Sequence, residues 1–164
     1  MDSKQYEQML SDPQLAPLLG QELLRDDLIK TILGSEIHDI SYWAGKQLAR
    51  NHRLTSYDNI ITFFKQFGFG TLTLDKESSN QLEFTLSGNI VESRLRADPD
   101  ADFQLECGII AENCEAILNH QAEAEIDKVK KVAVKILVLT SKEEPIIGDE
   151  PIEIFNVNDS TPTE

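Results

Sequence analysis

The stretch TLTLDKESSNQLEFTLS, Thr71 to Ser87, decides the fold. Thr71 to Asp75 and Gln81 to Leu86 both alternate polar with apolar residues, and Glu77-Ser78-Ser79-Asn80 between them has turn composition. A period of two puts one face of each segment toward a core and the other toward water, so the pattern predicts an antiparallel hairpin. A second hairpin follows at Glu123–Val129 and Val132–Thr140. Its last strand is apolar nearly throughout, which predicts a central position.

Outside the hairpins the period is helical. A helix is expected from Leu18 to Leu33, with Leu19, Leu23, Leu28 and Ile32 as apolar positions and Gly34 ending it at C′. Ser35 then caps a helix over 36–51, with Glu36 and Asp39 at the positive end of its dipole. Ser56 to Phe67 gives a third, with Tyr57, Ile60, Ile61, Phe64 and Phe67 on one face and Gly68 as its stop. Asn89–Ala97 reads as a short helix, and Asp102 caps a longer one from Phe103 to Asn119. Residues 1–17 are polar, with Pro13 and Pro17 limiting regular structure. From Ser141 an acidic tail with three prolines reads as disordered, apart from Ile152-Glu153-Ile154-Phe155, which has the pattern of an edge strand. The expectation is therefore a single α+β domain over 18–140, a helical layer packed on an antiparallel sheet of about four strands, flanked by a polar segment (1–17) and an acidic tail (141–164).

Charge narrows the function. The 164 residues carry a net charge of −14, and residues 143–164 alone hold Glu143, Glu144, Asp149, Glu150, Glu153, Asp159 and Glu164 with no base. Phosphate backbones and anionic lipid surfaces repel such a chain, so nucleic acid and membrane insertion are excluded as partners. No run of about 18 apolar residues offers a transmembrane span, and the polar start MDSKQYEQML has the composition of neither a signal nor a transit peptide. Cys107 and Cys114 sit about 10 Å apart along a helix, too far to bridge. Two reduced thiols suit a cytoplasmic address.

No catalytic set can be assembled. Phe103, Cys107, Ile110, Cys114 and Ile117 recur at spacings of four and three, an apolar stripe that no Lys, Arg or His shares. Core packing explains both thiols; an enzyme using Cys107 or Cys114 ranks below it. Asp98-Pro-Asp100-Ala-Asp102 opens like a calcium loop, but Phe103 and Ile109 stand where glycine and glutamate are required. No metal or cofactor site is assigned. His38, His52 and His120 share no ligand spacing with other donors, and phosphate-cradle and nucleophile-elbow motifs are absent.

One stretch invites a binding reading, ISYWAGKQLAR (Ile40 to Arg50). Ile37, Ile40, Ser41, Ala44 and Leu48 form its core stripe, and Trp43 lies beside that stripe. Gly45 costs about 1 kcal/mol in a helix interior, which implies close approach of another backbone or a ligand. Lys46, Arg50 and Arg53 make a basic ridge that has two readings. It is either a solvated face paired with acids such as Asp39 or Glu36, or a Trp/Tyr-flanked anion site or partner interface that Arg94 and Arg96 join. Under the second reading Tyr42, Trp43, Lys46 and Arg50 form an exposed recognition surface.

These residues carry a family resemblance. Leu33-Gly34, Ile40-x-Tyr42-Trp43-Ala44-Gly45-Lys46-x-Leu48-Ala49-Arg50 and Phe63-Phe64-x-x-Phe67-Gly68-x-Gly70-x-Leu72 resemble the YslB-like family of uncharacterised proteins from Gram-positive bacteria. Gly88-x-x-Val91-x-x-Arg94-Leu95 and Leu105-Glu106-x-Gly108-x-x-Ala111-Glu112 are similar to it too, so the likeness covers about residues 25–140. The resemblance implies the fold of TRAPP trafficking subunits and 4-vinyl reductase ligand-binding domains, a class that pairs through helices and holds apolar ligands in an interior tunnel. It supplies no catalytic residue. Haem-binding domains of this architecture use an axial histidine with a Tyr-x-Ser-x-Arg string, which this chain lacks. The expectation is a non-enzymatic binding module, homodimeric, for a small hydrophobic ligand or a protein partner; a ligand-free homodimeric scaffold is the alternative.

Overall fold

A computed structural model describes residues 1–145 and 154–157, with side chains left out of the description over 142–145. The two alternating stretches form β1 (Thr71–Glu77) and β2 (Gln81–Ser87), and the later pair forms β3 (His120–Lys130) and β4 (Ala133–Pro145). All pairings are antiparallel in the order β1-β2-β4-β3, so the strand with the longest apolar run is central, as its composition predicts. Register sets Leu82 opposite Val138, Phe84 opposite Ile136 and Leu86 opposite Val134, all buried on one face.

Helices α6 (Asn89–Ala97) and α7 (Gln104–Leu118) follow the first hairpin. The α7 helix packs on β3 with one side and under α4 (Ile37–Asn51) with the other, so residues 106–114 are buried without interruption. Its N-cap is Phe103, one residue later than expected, although Asp102 still accepts a bond from the Gln104 amide (2.9 Å). Cys107 and Cys114 are fully buried in the core, with Phe64, Phe84 and Phe103 among its largest members. Helix α5 (Tyr57–Gln66) starts on Ser56, whose hydroxyl accepts from the Asn59 amide (3.2 Å). Its Ile60, Phe63 and Phe64 are buried, while Phe67 is left partly exposed and stacks on Phe63.

The N-terminal third departs from expectation. Residues 1–17 contain a helix, α1 (Ser3–Ser11), capped by Asp2; Met9 on it and Leu15 beyond its end are buried in the core. Two buried apolar anchors outweigh the polar composition and prolines that argued against structure there. The run that follows is a 3-10 turn (Ala16–Leu18), α2 (Leu19–Glu22), a π segment (Leu23–Ile29) and α3 (Lys30–Leu33). A π turn takes about one more residue than an α turn, which rotates every following side chain. Leu23, Leu28 and Ile32, placed inward by the 3.6 spacing, are exposed instead, and Glu22 is buried. Gly34 does adopt positive φ at the end of this run. Ser35 does not cap α4: its hydroxyl meets the neighbouring Glu36 carboxylate, within a 3-10 turn that leads directly into the helix.

Most of the acidic tail, with Ile152 and Glu153, lies outside the described residues. Ile154 joins no sheet edge. It bridges in parallel to Arg53 beyond α4, and Phe155 packs on His52, Phe63 and Phe67.

Candidate functional site: an apolar groove over a buried ion network

Helix α4 shows the same inversion as the run before it. Its inward face is Gly45, Lys46 and Ala49, with Tyr42 and Leu48 partly buried, whereas Ile40 and Ala44 of the expected core stripe are exposed. The reason lies at Gly45. Cβ atoms built on Gly45 and Gly108 would stand 2.2 Å from the Leu105 carbonyl oxygen and 2.1 Å from that of Tyr42, so α4 and α7 touch backbone to backbone along that line. Close approach of another backbone, the use expected of Gly45, is what the crossing shows. It fixes the rotation of α4 and turns the apolar stripe outward.

The outward stripe faces the inverted run across an open groove of about 280 Å³, walled by Ile29, Ile32, Leu33, Ile37, Ile40 and Ala44. At its floor are Leu105 and the charged residues Arg25, Asp26 and Arg94. Arg94 is 2% exposed. Its Nε and Nη2 each donate to Asp26 at 2.9 Å, Nη2 donates also to the Asp102 carbonyl (2.6 Å), and Nη1 reaches Glu106 at 3.4 Å. Its guanidinium lies 4.2 Å over the Phe103 ring. Arg25 donates to the same Glu106 oxygen. Glu22 is 1% exposed, has Arg94 Nε at 3.9 Å, and has no N–H donor; when protonated its carboxyl donates to Asp26.

The buried set thus holds three carboxylates against two guanidiniums, an imbalance that burial penalises. Burial first, and the Asp26 carboxylate alongside, push the Glu22 carboxyl from 4.5 up to about 8. Asp26 moves the other way: the Arg94 bonds and charge outweigh its own burial and hold it below the ordinary range. A proton on Glu22 at neutral pH balances the set. Because the folded protein keeps this proton longer than the unfolded chain, its stabilising contribution is complete below about pH 4.5 and disappears as pH rises through 8. Glu22→Gln is therefore expected to match the wild type near pH 4.5 and to exceed its stability by about 3 kcal/mol at pH 7. Urea melts at the two pH values measure this difference.

The residues expected to form a recognition surface are divided. Trp43 is 61% exposed and does not line the groove; it stands edge-on to Tyr42. Tyr42 donates to Glu123 and accepts from the Ala124 amide (3.2 Å); burial and the Glu123 bond push its phenol up. Lys46 is 3% exposed and is no part of an open face. Its ammonium sits among Glu123 (3.2 Å), Glu115 (3.4 Å) and Glu112 (3.9 Å), and over the Tyr42 and Trp43 rings. Arg50 forks onto Glu112 at 2.8 and 3.1 Å. Lys46 and Arg50 of the basic ridge are thus neutralised from α7 and β3, not by Asp39 or Glu36, and offer no anion site. Arg96 is paired with Glu92 (2.6 Å) and is remote in role from Arg94.

The other candidates are occupied structurally. Asp98 holds Lys30 (2.5 Å) and the Asp100 amide, and Asp102 holds His38 (3.0 Å). Among the described residues no group of three or more His, Cys, Asp or Glu is placed to hold a metal. Burial pushes both thiols up, which leaves them protonated inside the core. No described helix is long and apolar enough to cross a membrane. The Glu22–Asp26–Arg94–Glu106 network was missed by the sequence reading. Its signal is Leu-Leu-Arg-Asp-Asp (23–27), charges set four apart from Glu22 inside a leucine-rich helix.

Comparison with known proteins agrees with the geometry. Residues 18–139 match the family described as "Protein of unknown function (DUF2507)". "Uncharacterized protein YslB" of Bacillus subtilis (strain 168) is 40% identical over 121 residues, covering 74% of this chain and 80% of that protein. Among solved structures, a vinyl-4-reductase family protein from Methanocaldococcus jannaschii superposes with a TM-score of 0.51 at 18% identity, covering 77% of this chain and 82% of the other. An H-NOX protein from K. algicida gives a TM-score of 0.33 at 13% identity, over 72% and 60% of the two chains. The chain belongs to the DUF2507 family, and its fold, helices on an open four-stranded antiparallel sheet, is of the vinyl-4-reductase type.

Proposed function

We propose that this member of the DUF2507 family is a non-enzymatic, cytoplasmic binding module whose groove takes up a small apolar ligand. The observation that carries the reading is the pair of inverted helical faces. Leu33 and Ile37 on the way into α4, with Ile29, Ile32 and Ile40, line an opening in contact with water. Exposed apolar side chains gathered in a concave site mark binding surfaces more often than scattered ones do. The floor supports the same reading, because Arg94 and Asp26 satisfy one another and present a neutral pair beneath an apolar ligand. Two free, fully buried cysteines are compatible with a reducing cytoplasm.

The uncharged probe N-phenyl-1-naphthylamine tests the groove directly. Its fluorescence should rise saturably with the wild-type protein. Ile40→Glu, which places a charge on the wall, should weaken binding at least about tenfold, the loss expected when a carboxylate must be desolvated by an apolar ligand. Leu139→Glu, at an exposed sheet position outside the groove, should leave it unchanged. Equal loss in both variants, or no saturable signal, refutes the reading.

A second reading, self-association through the same side of the molecule, is favoured by Leu24, Leu28 and Trp43, which are exposed but do not line the groove. Sedimentation across a hundredfold range of concentration separates the two. A dimer that Leu28→Glu dissociates, with probe binding intact, would make pairing a property of the outer surface alone.

A further inference from the structure

The floor of the groove holds one cation that the protein only partly uses. Arg25 lines the groove, and its side chain is 12% exposed. A guanidinium carries five N–H donors in a planar fork. Among the described residues Arg25 spends one of them, from Nη2 to Glu106 Oε1, the oxygen that Arg94 also approaches. The second Glu106 oxygen takes no hydrogen bond, so Arg25 does not fork onto this carboxylate. One face of its guanidinium lies 5.8 Å from the centre of the Phe69 ring. No nitrogen of Arg25 is both unpartnered and sealed from solvent, so the unspent donors keep contact with open space, and the groove is a cavity that Arg25 lines. Arg94 beside it is by contrast fully engaged, by Asp26, the Asp102 carbonyl and Glu106.

These donors bear on what the groove can hold. A pure hydrocarbon filling it would strip water from a guanidinium and leave N–H groups bare, which costs more than the bonds themselves contribute. A ligand with an acceptor facing Arg25 replaces that water. The charge of the acceptor follows from the buried set. Glu22, Asp26 and Glu106 stand against Arg25 and Arg94, and the proton on Glu22 brings the sum to zero. A ligand carboxylate would add an uncompensated negative charge, whereas a carbonyl oxygen accepts the same bonds without one.

We propose that the groove selects an uncharged apolar ligand bearing a carbonyl group, and that Arg25 makes the selection by donating to the carbonyl oxygen. The inference rests on the groove reading and sharpens it. Ile29, Ile32, Ile37 and Ile40 hold the body of such a ligand without distinguishing one apolar shape of similar size from another. Arg25 supplies what they lack, a directional contact at the floor.

The test is displacement of N-phenyl-1-naphthylamine from the full chain by a matched pair, 2-acetylnaphthalene and 2-ethylnaphthalene, in which a C=O replaces a CH2. In Arg25→Met, affinity for the ketone should fall at least about tenfold relative to the hydrocarbon, the loss of a hydrogen bond from a charged donor. The hydrocarbon and the probe should bind that variant as they bind the wild type. The anion 2-naphthoate should bind the wild type more weakly than the ketone. If Arg25→Met does not fold, the infrared carbonyl stretch of bound 2-acetylnaphthalene decides in the wild type: it should lie below its position in hexane. The proposal is overturned by an unchanged ketone-to-hydrocarbon ratio in folded Arg25→Met, by equal weakening of ketone, hydrocarbon and probe, by tighter binding of the naphthoate, or by a stretch at the hexane position. Saturable probe binding that the hydrocarbon still displaces would leave the groove reading standing in each case. Absence of saturable probe binding to the wild type would remove both.

Discussion

Gly108→Ala is expected to destabilise the protein by more than about 3 kcal/mol, the upper end of what overpacking costs. On an exposed helix the same change would stabilise by about 1 kcal/mol, because glycine is the poorer helix former. The crossing of α4 and α7 reverses the sign. A methyl group on Gly108 would lie 2.1 Å from the Tyr42 carbonyl oxygen and 2.9 Å from the Lys46 amide nitrogen, and these are backbone atoms that no rotamer change can move. The helices must separate by more than 1 Å. Separation draws Lys46 away from Glu112 and Glu115 and opens the Arg50 fork, so charged groups lose partners as well as packing. Gly45→Ala should cost a similar amount, and the double variant less than the sum, since one displacement relieves both clashes. Gly20→Ala is the control: nothing lies within 4 Å of its Cβ position, and a small gain is expected. Urea midpoints of the four variants decide the matter. Losses below about 1 kcal/mol at both crossing positions would mean that the helices are not held at backbone contact.

The sheet was legible because its signals are local. Alternation in 71–87 and the apolar run of β4 depend on strand geometry alone, and both reappear with the predicted pairing. The role of Gly45 was legible for a similar reason, since a helix-interior glycine is costly wherever it occurs. Helix faces were harder to assign. Period 3.6 identifies a stripe but not which way it points, and in α4 the face that packs is small and charged (Gly45, Lys46, Ala49) while Ile40 looks outward. In the run before it, the π segment shifts the register that an α period assumes. The candidate site is built from those two misjudged faces. Tyr42, Trp43, Lys46 and Arg50 share a helix but not one open surface, because the acids that neutralise Lys46 and Arg50 come from positions more than sixty residues away in sequence. Such pairings have no trace in local spacing, and the same holds for Arg94 with Asp26.

Arg94→Met is expected to cost about 3–5 kcal/mol at pH 7, the range for removing one member of a buried ion set. The cost would come less from the lost bonds than from what is left behind. Glu106 is fully buried and would keep only Arg25, while Asp26 would lose the fork that holds it ionised. Asp26 carries a depressed pKa in the wild type, so its contribution to stability is present above about pH 4 and is lost as pH falls through its lowered value. Without Arg94 that contribution is absent at neutral pH, and the gap between variant and wild type should narrow as pH falls below about 4. Arg94→Lys keeps a charge and gives up the planar fork, and should fall between the two. Adding Glu106→Gln to Arg94→Met should recover part of the loss, because it removes the stranded charge. Recovery would separate an electrostatic cost from the loss of packing on Phe103, which the glutamine leaves unrepaired. A loss that is independent of pH and unrelieved by Glu106→Gln would assign Arg94 to packing, and the floor of the groove would then owe its form to the stacked side chain, not to its charge.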